Sequence, residues 1–324
     1  MEEYEIVEHL QMEDLNLFLV SLSYRSPHMH KEFEICMVLS GQVIAYAGQE
    51  TQIFEKGDLF LFNPRQSHEL HALTENVVMI SVQVASGFCM RVYPEIRRLE
   101  FDRIRVEFTQ GQEQKERIRR QVLQIARFYL EKKKNYEFFC MAGLYGLFGD
   151  LLCSQSWRII SEKEQDERYY KGERLKRITD YIENHFTEKV MLTEIAEMEN
   201  LSMHYLSHFF REMLGLSFQE YVALLRFERA RRLVERTNKS ITEICLECGF
   251  SDYRYLNKIY KKQLGYTPME YRCSHTPLPV VEKEENIMNT QTFYSIHESL
   301  EILSLAAGSS MFREKDGKAA LIRE

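Results

Sequence analysis

Five residues late in the chain, Tyr253, Arg254, Asn257, Lys258 and Lys261, fall on one side of a helical repeat. Arg and Lys reach phosphates and guanine edges, and Asn reaches adenine edges, so this set has the chemistry of a surface that reads DNA. Near the other end, His28, His30 and Glu34 stand in an HxH-x3-E pattern. Two imidazoles and a carboxylate at that spacing can hydrogen-bond a polar ligand, hold a cation, or bond one another. Cys245 and Cys248 form a CxxC. A metal or redox role would need a second pair or a thioredoxin-like setting, neither of which is visible, so both read as small core residues.

The late set needs a helix to present it. Ser240 and Glu243 have capping-box spacing, so a short helix starts at Ile241, and Gly249 ends it. Ser251 is the expected cap of a second helix, which runs to Leu264 and stops at Gly265. Thr267, Pro268 and Glu270 open a third. On the second helix Tyr255, Leu256, Ile259 and Tyr260 form the packing side and the five polar residues form the other. Helix, tight turn, helix is the plan whose second helix enters the DNA major groove.

The same pattern occurs earlier. Tyr205–Tyr221 aligns with Tyr255–Tyr271 at an offset of 50, with six of 17 positions identical, and Ile195-Ala196 matches Ile244-Cys245 at an offset of 49. The first copy is expected to have a helix from Glu194 capped by Thr193, then one from Ser202 to Leu214. Ser217 and Glu220 cap a long helix, Phe218 to Arg236, which joins the copies. A further helix, Arg174 to His185, precedes them. Arg226, Arg229 and Arg232 on the long helix are expected to pair with Glu228 and Glu235 rather than with phosphate. Through the repeat, Met203, His204, Ser207 and His208 are the mates of Tyr253, Arg254, Asn257 and Lys258, and all are candidate DNA contacts.

Residues 174–272 resemble the DNA-binding domain of the AraC/XylS family of transcription regulators. The resemblance rests on Ile244, Gly249-Phe250-Ser251-Asp252, Leu256, Lys261, Gly265, Thr267-Pro268 and Tyr271-Arg272. Leu256 and Tyr260 stand where the family often has phenylalanine. The resemblance implies a regulator of double-stranded DNA that acts as a homodimer, with RNA polymerase as a further partner.

The first third reads as short strands at 15–22, 33–39, 43–47, 51–54, 58–62 and 77–84, separated by turn residues. His28, His30 and Glu34 are followed six residues later by Gly41. Gly57 is followed by Pro64 and, eleven residues on, by His68. Residues 5–85 thereby resemble the cupin barrel. The second motif is partial: its proline is displaced by one, Arg65 or Gln66 stands at a glycine position, and Ala72 stands at an asparagine position. In metal-binding cupins the matching residues, here His28, His30, Glu34 and His68, hold the metal, a donor set suited to Fe, Mn, Ni or Zn. Sensory cupins joined to DNA-binding domains usually lack it. The expected role of His28, His30, Glu34, Arg65 and His68 is therefore to line an effector pocket, with no metal and no cofactor. The alternative is a metal-dependent enzyme using the four-residue cluster; the leading reading is not an enzyme. The family resemblance implies a sugar-like effector.

Composition agrees with this outline. The chain has 324 residues and a net charge of −7. Residues 173–272 hold 16 Lys+Arg against 15 Asp+Glu, and Ser251–Lys262 holds four positive charges against one negative. Positive charge is thus local to the proposed reading helix. Seven scattered cysteines suit a reducing cytoplasm. No apolar run reaches membrane-spanning length, the first residues do not form a signal peptide, and no membrane partner is expected. Helices at 112–132 and 137–153 follow the strands, with Gly143 and Gly146 allowing a close neighbour. The expected organisation is α+β: a cupin-like barrel and effector domain at 1–110, a helical dimerisation segment at 111–157, a linker at 158–173 whose residues 161–173 read as linker or frayed helix, an all-α double helix-turn-helix domain at 174–273, and a tail of unassigned role at 274–324 with a linker-like stretch at 275–286. In that tail Ser295 and Glu298 open a helix through Ala307.

Overall fold

The computed structural model describes residues 12–48, 50–274 and 290–307. The start of the cupin resemblance and the proposed linker at 275–286 lie outside the described residues. Seven antiparallel strands come first: β1 (Leu15–His28), β2 (Glu32–Ser40), β3 (Gln42–Ala47), β4 (Glu50–Glu55), β5 (Leu59–Phe62), β6 (His68–Ala72) and β7 (Val77–Ala85). They follow the order β4-β3-β6-β1-β7-β2-β5 in a nearly closed barrel. β1 is long enough to pair with β7 along Leu15–Leu22 and then with β6 from Tyr24 to His28. Strand alternation divides the apolar residues into two cores. Cys36, Val38, Phe54, Phe60 and Phe62 fill the barrel. Ile35, Met37, Ile80 and Val82 face outward, onto the helices that follow.

Those helices are α1 (Gln112–Glu131) and α2 (Tyr136–Ser154), packed antiparallel over the sheet. A Cβ on Gly143 would stand 2.6 Å from Ile125 Cγ1, so the close neighbour that this glycine admits is the α1 side chain. α2 corrects one expectation: it is 19 residues long and apolar enough to cross a bilayer by length and composition. Cys140, Leu144, Leu147, Phe148 and Leu151 are buried in the outer core, and Phe138 and Phe139 remain exposed. A small ribbon, β8 (Leu99–Phe101) with β9 (Trp157–Ile159), lies beside them.

The expected linker is helical. α3 (Glu162–His185) starts from a capping box in which Ser161 accepts from Glu164 N and the Glu164 side chain returns to Ser161 N. The box is legible in the sequence, but the charge around it masks it. Six further helices follow: α4 (Leu192–Met198), α5 (Met203–Leu214), α6 (Phe218–Arg236), α7 (Ile241–Glu247), α8 (Tyr253–Leu264) and α9 (Pro268–Ser274). Two small cores hold them. Ile195, Leu206, Phe210 and Tyr221 centre the first, and Ile244, Leu256, Tyr260 and Tyr271 the second. α6 serves both, with Leu225 in one and Phe227 in the other.

The tail returns to the barrel. β10 (Thr290–Phe293) pairs with β1 at Val20, Ser21, Leu22 and Tyr24. Because Val20–Leu22 also pair with β7, β10 takes the opposite edge of β1. α10 (Ile296–Ala306) follows, capped by Ser295 and Glu298 as the sequence predicts, and buries Leu303 in the outer core.

Candidate nucleic-acid interface and buried histidine cluster

In each helix-turn-helix unit the turn is fixed by one residue with positive φ: Asn200 at 53° in the first and Gly249 at 75° in the second. Glycine is required at the second position, where a Cβ would stand 2.4 Å from the Thr187 carbonyl oxygen. After these residues the repeats slip by one. Leu201 N bonds Ala196 O and Phe250 N bonds Cys245 O, at an offset of 49. The N-caps of α5 and α8 are Ser202 and Asp252, at an offset of 50. Ser251 is the inserted residue, so it does not cap α8; Asp252 does, accepting from Arg254 N at 2.7 Å. In the first unit α4 begins at Leu192 and its N-cap is Met191, not Thr193, with Glu194 bonding back to Met191 N.

The structure brings the reading-helix candidates to two exposed surfaces. Met203, His204, Ser207 and His208 are exposed on α5. Tyr253, Arg254, Lys258 and Lys261 are exposed on α8, and Asn257 is half-buried beside them. Leu256 and Tyr260 are fully buried, whereas Tyr255, expected on the packing side, is exposed. Arg254 is held by Asp252, with Nε and Nη2 donating to Oδ2 at 3.0 and 2.7 Å. Lys258 and Lys261 form no ion pair among the described residues. On α5, His208 Nδ1 lies 3.8 Å from Glu212, which also pairs with Lys171 of α3. The second helix is therefore the more cationic surface.

α6 holds the units through arginines, and two of them, Arg226 and Arg229, take partners other than the expected Glu228 and Glu235. Arg226 donates to the carbonyls of Phe186 and Glu188, both at 2.7 Å. Arg229 lies 3.6 Å from Glu247. It is Arg231 that pairs with Glu228 and Glu235, at 3.0 and 2.7 Å. Burial pushes the Glu228 carboxyl up despite that neighbour. Tyr271 donates to Glu235 at 2.7 Å, which ties α9 to α6.

In the barrel, Glu34 shares the inward parity of Cys36 and Val38, and β6 brings His68 to it. β6 escapes sequence reading because its residues, His68 to Ala72, carry little β-forming character. His28, His30, Glu34 and His68 are all buried. His30 Nε2 lies 2.6 Å from Glu34 Oε2, and His68 Nε2 lies 3.3 Å from the same oxygen in poorer alignment. Ser81 and Cys36 donate to Glu34 Oε1. Arg25 Nε donates to His28 Nε2 at 3.4 Å, and Phe62 stacks on His68 with ring centres 3.9 Å apart. Burial pushes the Glu34 carboxyl up, but the His30 and His68 imidazoles overcome this and hold it well below the usual carboxylate range. Burial, aided by the Arg25 charge, holds His28 well below the usual imidazole range, and burial lowers His68 against the pull of Glu34. Arg65 is set apart. Its backbone N–H bonds His30 O at 2.7 Å, while its guanidinium lies over the Tyr169 ring of α3 at 5.1 Å.

A duplicated helix-turn-helix domain joined to a small barrel defines a class of two-part regulators. Residues 21–148 match the AraC-like ligand binding domain and residues 195–274 match a helix-turn-helix domain. The chain belongs to the AraC-type family. It is 31% identical over 99 residues to the HTH-type transcriptional activator RhaS of Enterobacter sp. (strain 638), a match covering 31% of this chain and 36% of that protein. It is 23% identical over 270 residues to an uncharacterized HTH-type transcriptional regulator of Staphylococcus aureus (strain MRSA252), covering 83% of this chain and 34% of that protein. The matches thus span about a third of these relatives' lengths. The C-terminal domain of AraT, a response regulator from Geobacillus stearothermophilus, is 30% identical with a TM-score of 0.31, covering 35% of this chain and 91% of that one.

Proposed function

We propose that this chain is a ligand-responsive, sequence-specific DNA-binding transcription regulator. The carrying observation is the pair of capped helix-turn-helix units built on one helix, α6, with a cationic exposed face on α8. Arg254, Asn257, Lys258 and Lys261, with Tyr253, are the main DNA contacts, and Met203, His204, Ser207 and His208 are the second set. One rigid helix between the units suits two reading helices entering successive major grooves. The barrel, with His28, His30, Glu34 and His68 inside and Arg65 near its edge, is the effector-binding part, and a sugar or related small molecule is its ligand. The exposed Phe138 and Phe139 of α2 support a homodimer contact, and RNA polymerase is the further partner of a DNA-bound activator. Fluorescence anisotropy with labelled duplexes tests the core of this reading. The wild type should bind duplex DNA with a steep salt dependence, and a chain that binds none at low salt would refute it.

One observation favours a second reading of the barrel. The four ligand atoms of His28, His30, Glu34 and His68 lie within 4.8 Å of one another. Burial favours the neutral imidazole at His28 and His68 while Glu34 is held ionised, and these are the protonation states that metal ligands take. These residues would hold a divalent transition metal, which would supply Lewis acidity or a structural clamp there. Stoichiometric metal in purified protein, lost in both His30→Ala and His68→Ala, would establish it; metal-free protein purified from metal-supplemented growth would exclude it.

A further inference from the structure

Between the barrel and the second helix-turn-helix unit lies a cavity of about 810 Å³, within the range of small-molecule sites. The histidine cluster is not part of it. Alternation along β6 sends His68 into the barrel and Glu69 and His71 outward, to this cleft. The barrel wall is a fixed polar platform. Glu69 Oε1 accepts from the Tyr24 hydroxyl at 3.0 Å and lies 2.6 Å from His71 Nε2. The Tyr24 and His71 rings are 4.5 Å apart. The His71 side chain is 39% exposed and that of Glu69 16%, so the platform is open to a ligand and yet held in place. The opposite wall comes from α6 and α8, where Phe227 and Ile259 are apolar and Lys258 and Lys262 carry ammonium groups.

We propose that this cleft binds a small carbohydrate bearing an anionic group, a phosphorylated or carboxylated sugar, and that its occupancy opposes DNA binding by α8. Aromatic rings beside a fixed carboxylate suit a hydroxylated ring: the C–H face packs on the rings and a hydroxyl donates to Glu69. The two lysines suit the anion, as point charges that need no fixed fork. Lys258 belongs both to the cleft and to the proposed DNA face, so an anion held there removes a charge that phosphate would use. The coupling must be reciprocal. This site is additional to the barrel interior, and only its effect on DNA rests on the DNA-binding reading.

The test uses the full chain and a panel of hexose phosphates and sugar acids, with the parent sugars and inorganic phosphate as half-ligand controls. A charged sugar should raise Tm by about 5 °C near saturation, and each half-ligand should do clearly less. Lys262→Gln, a change at an exposed helix position, and His71→Ala should each weaken the charged sugar on the order of tenfold in titration calorimetry, while Lys134→Gln, at an exposed position outside the cleft lining, should not. The proposal falls if no panel member binds. It also falls if inorganic phosphate alone matches the best sugar, or if Lys262→Gln weakens binding no more than Lys134→Gln does. Duplex affinity, measured by anisotropy at fixed salt, should drop when the ligand is added. Ligand binding with unchanged duplex affinity would overturn the opposition, and a ligand-free chain that binds no duplex would overturn the DNA-binding reading itself.

Discussion

Replacing Leu303 with alanine should destabilise the barrel, although Leu303 follows the DNA-binding units in sequence. It is 2% exposed in the outer core, packed with α1 and the strands. β10 fixes the start of this element: its four residues pair with β1, Tyr294 N bonds Leu19 O at 3.0 Å, and the Phe293 ring meets Phe18 edge-on at 5.2 Å. Leu→Ala in a core costs about 2–5 kcal/mol, the lower part of the range where the surroundings can collapse into the space. α10 sits on the outside of the barrel and can settle inward, so about 3 kcal/mol is expected. The chain has a single tryptophan, Trp157, on β9, and its indole N–H donates to Leu152 O of α2. Its fluorescence therefore follows the barrel and not the DNA-binding units. With a urea slope of about 3 kcal/mol/M, the Trp157 transition should move down by about 1 M. Leu305→Ala, at an 84% exposed position of the same helix, should stay within about 0.5 kcal/mol of wild type. Equal midpoints for Leu303→Ala and Leu305→Ala would refute the claim that the tail completes the barrel.

Lys258→Ala should weaken binding to every duplex and reduce the salt slope by about one. Asn257→Ala should relax preference at one base pair, read by comparing point-substituted sites, and unchanged sequence preference would remove Asn257 from the reading set. Asp252→Asn keeps a capping oxygen but loses the charge that holds Arg254, so stability should stay within about 0.5 kcal/mol while duplex affinity rises; unaltered affinity would show that Asp252 does not restrain Arg254. Asp58 supplies a pH test. Burial pushes its carboxyl up, but the Glu55 backbone contact, Arg105 and Lys115 overcome this and hold it below the usual aspartate range. A depressed pKa gives stability that is fully present above the unfolded value of about 3.9 and lost as pH falls through the folded value. Asp58→Asn should therefore lower the Trp157 urea midpoint at neutral pH and flatten its decline in acid, and an unchanged acid limb would dismiss Asp58 as a contributor.

The helical units are legible because their signals are local. Ser240 with Glu243, Ser217 with Glu220 and Thr267 with Glu270 are complete capping boxes within four residues, and each does start a helix. The cap errors there are a two-residue shift at α4, whose N-cap is Met191 and not Thr193, and a one-residue slip at α8. A uniform offset hides the extra residue in the second turn, so Ser251 took the role that belongs to Asp252. Barrel strands with apolar alternation are legible too. β6 and β10 are not, because each is a short polar segment made a strand by the partner beside it. The inward parity of Glu34 follows from β2 alone, but its meeting with His68 requires the barrel to close, which no local pattern records.

The same limit hides from sequence reading where the cleft lies and where the tail docks, although the cap that opens α10 is legible. Arg65 meets Tyr169 of α3, so the barrel touches the helix that leads into the DNA-binding units. β10 and α10 bring the chain back to the barrel after those units end. The units are thus attached to the barrel on both sides in sequence. A change in barrel packing acts on both attachments, whereas a terminal DNA-binding domain would have one. The cleft lies between these parts, with β10 in one wall and α8 in the other. A molecule bound there would touch the barrel and the reading helix directly, and a difference in its affinity for the DNA-free and DNA-bound chain is what a switch requires.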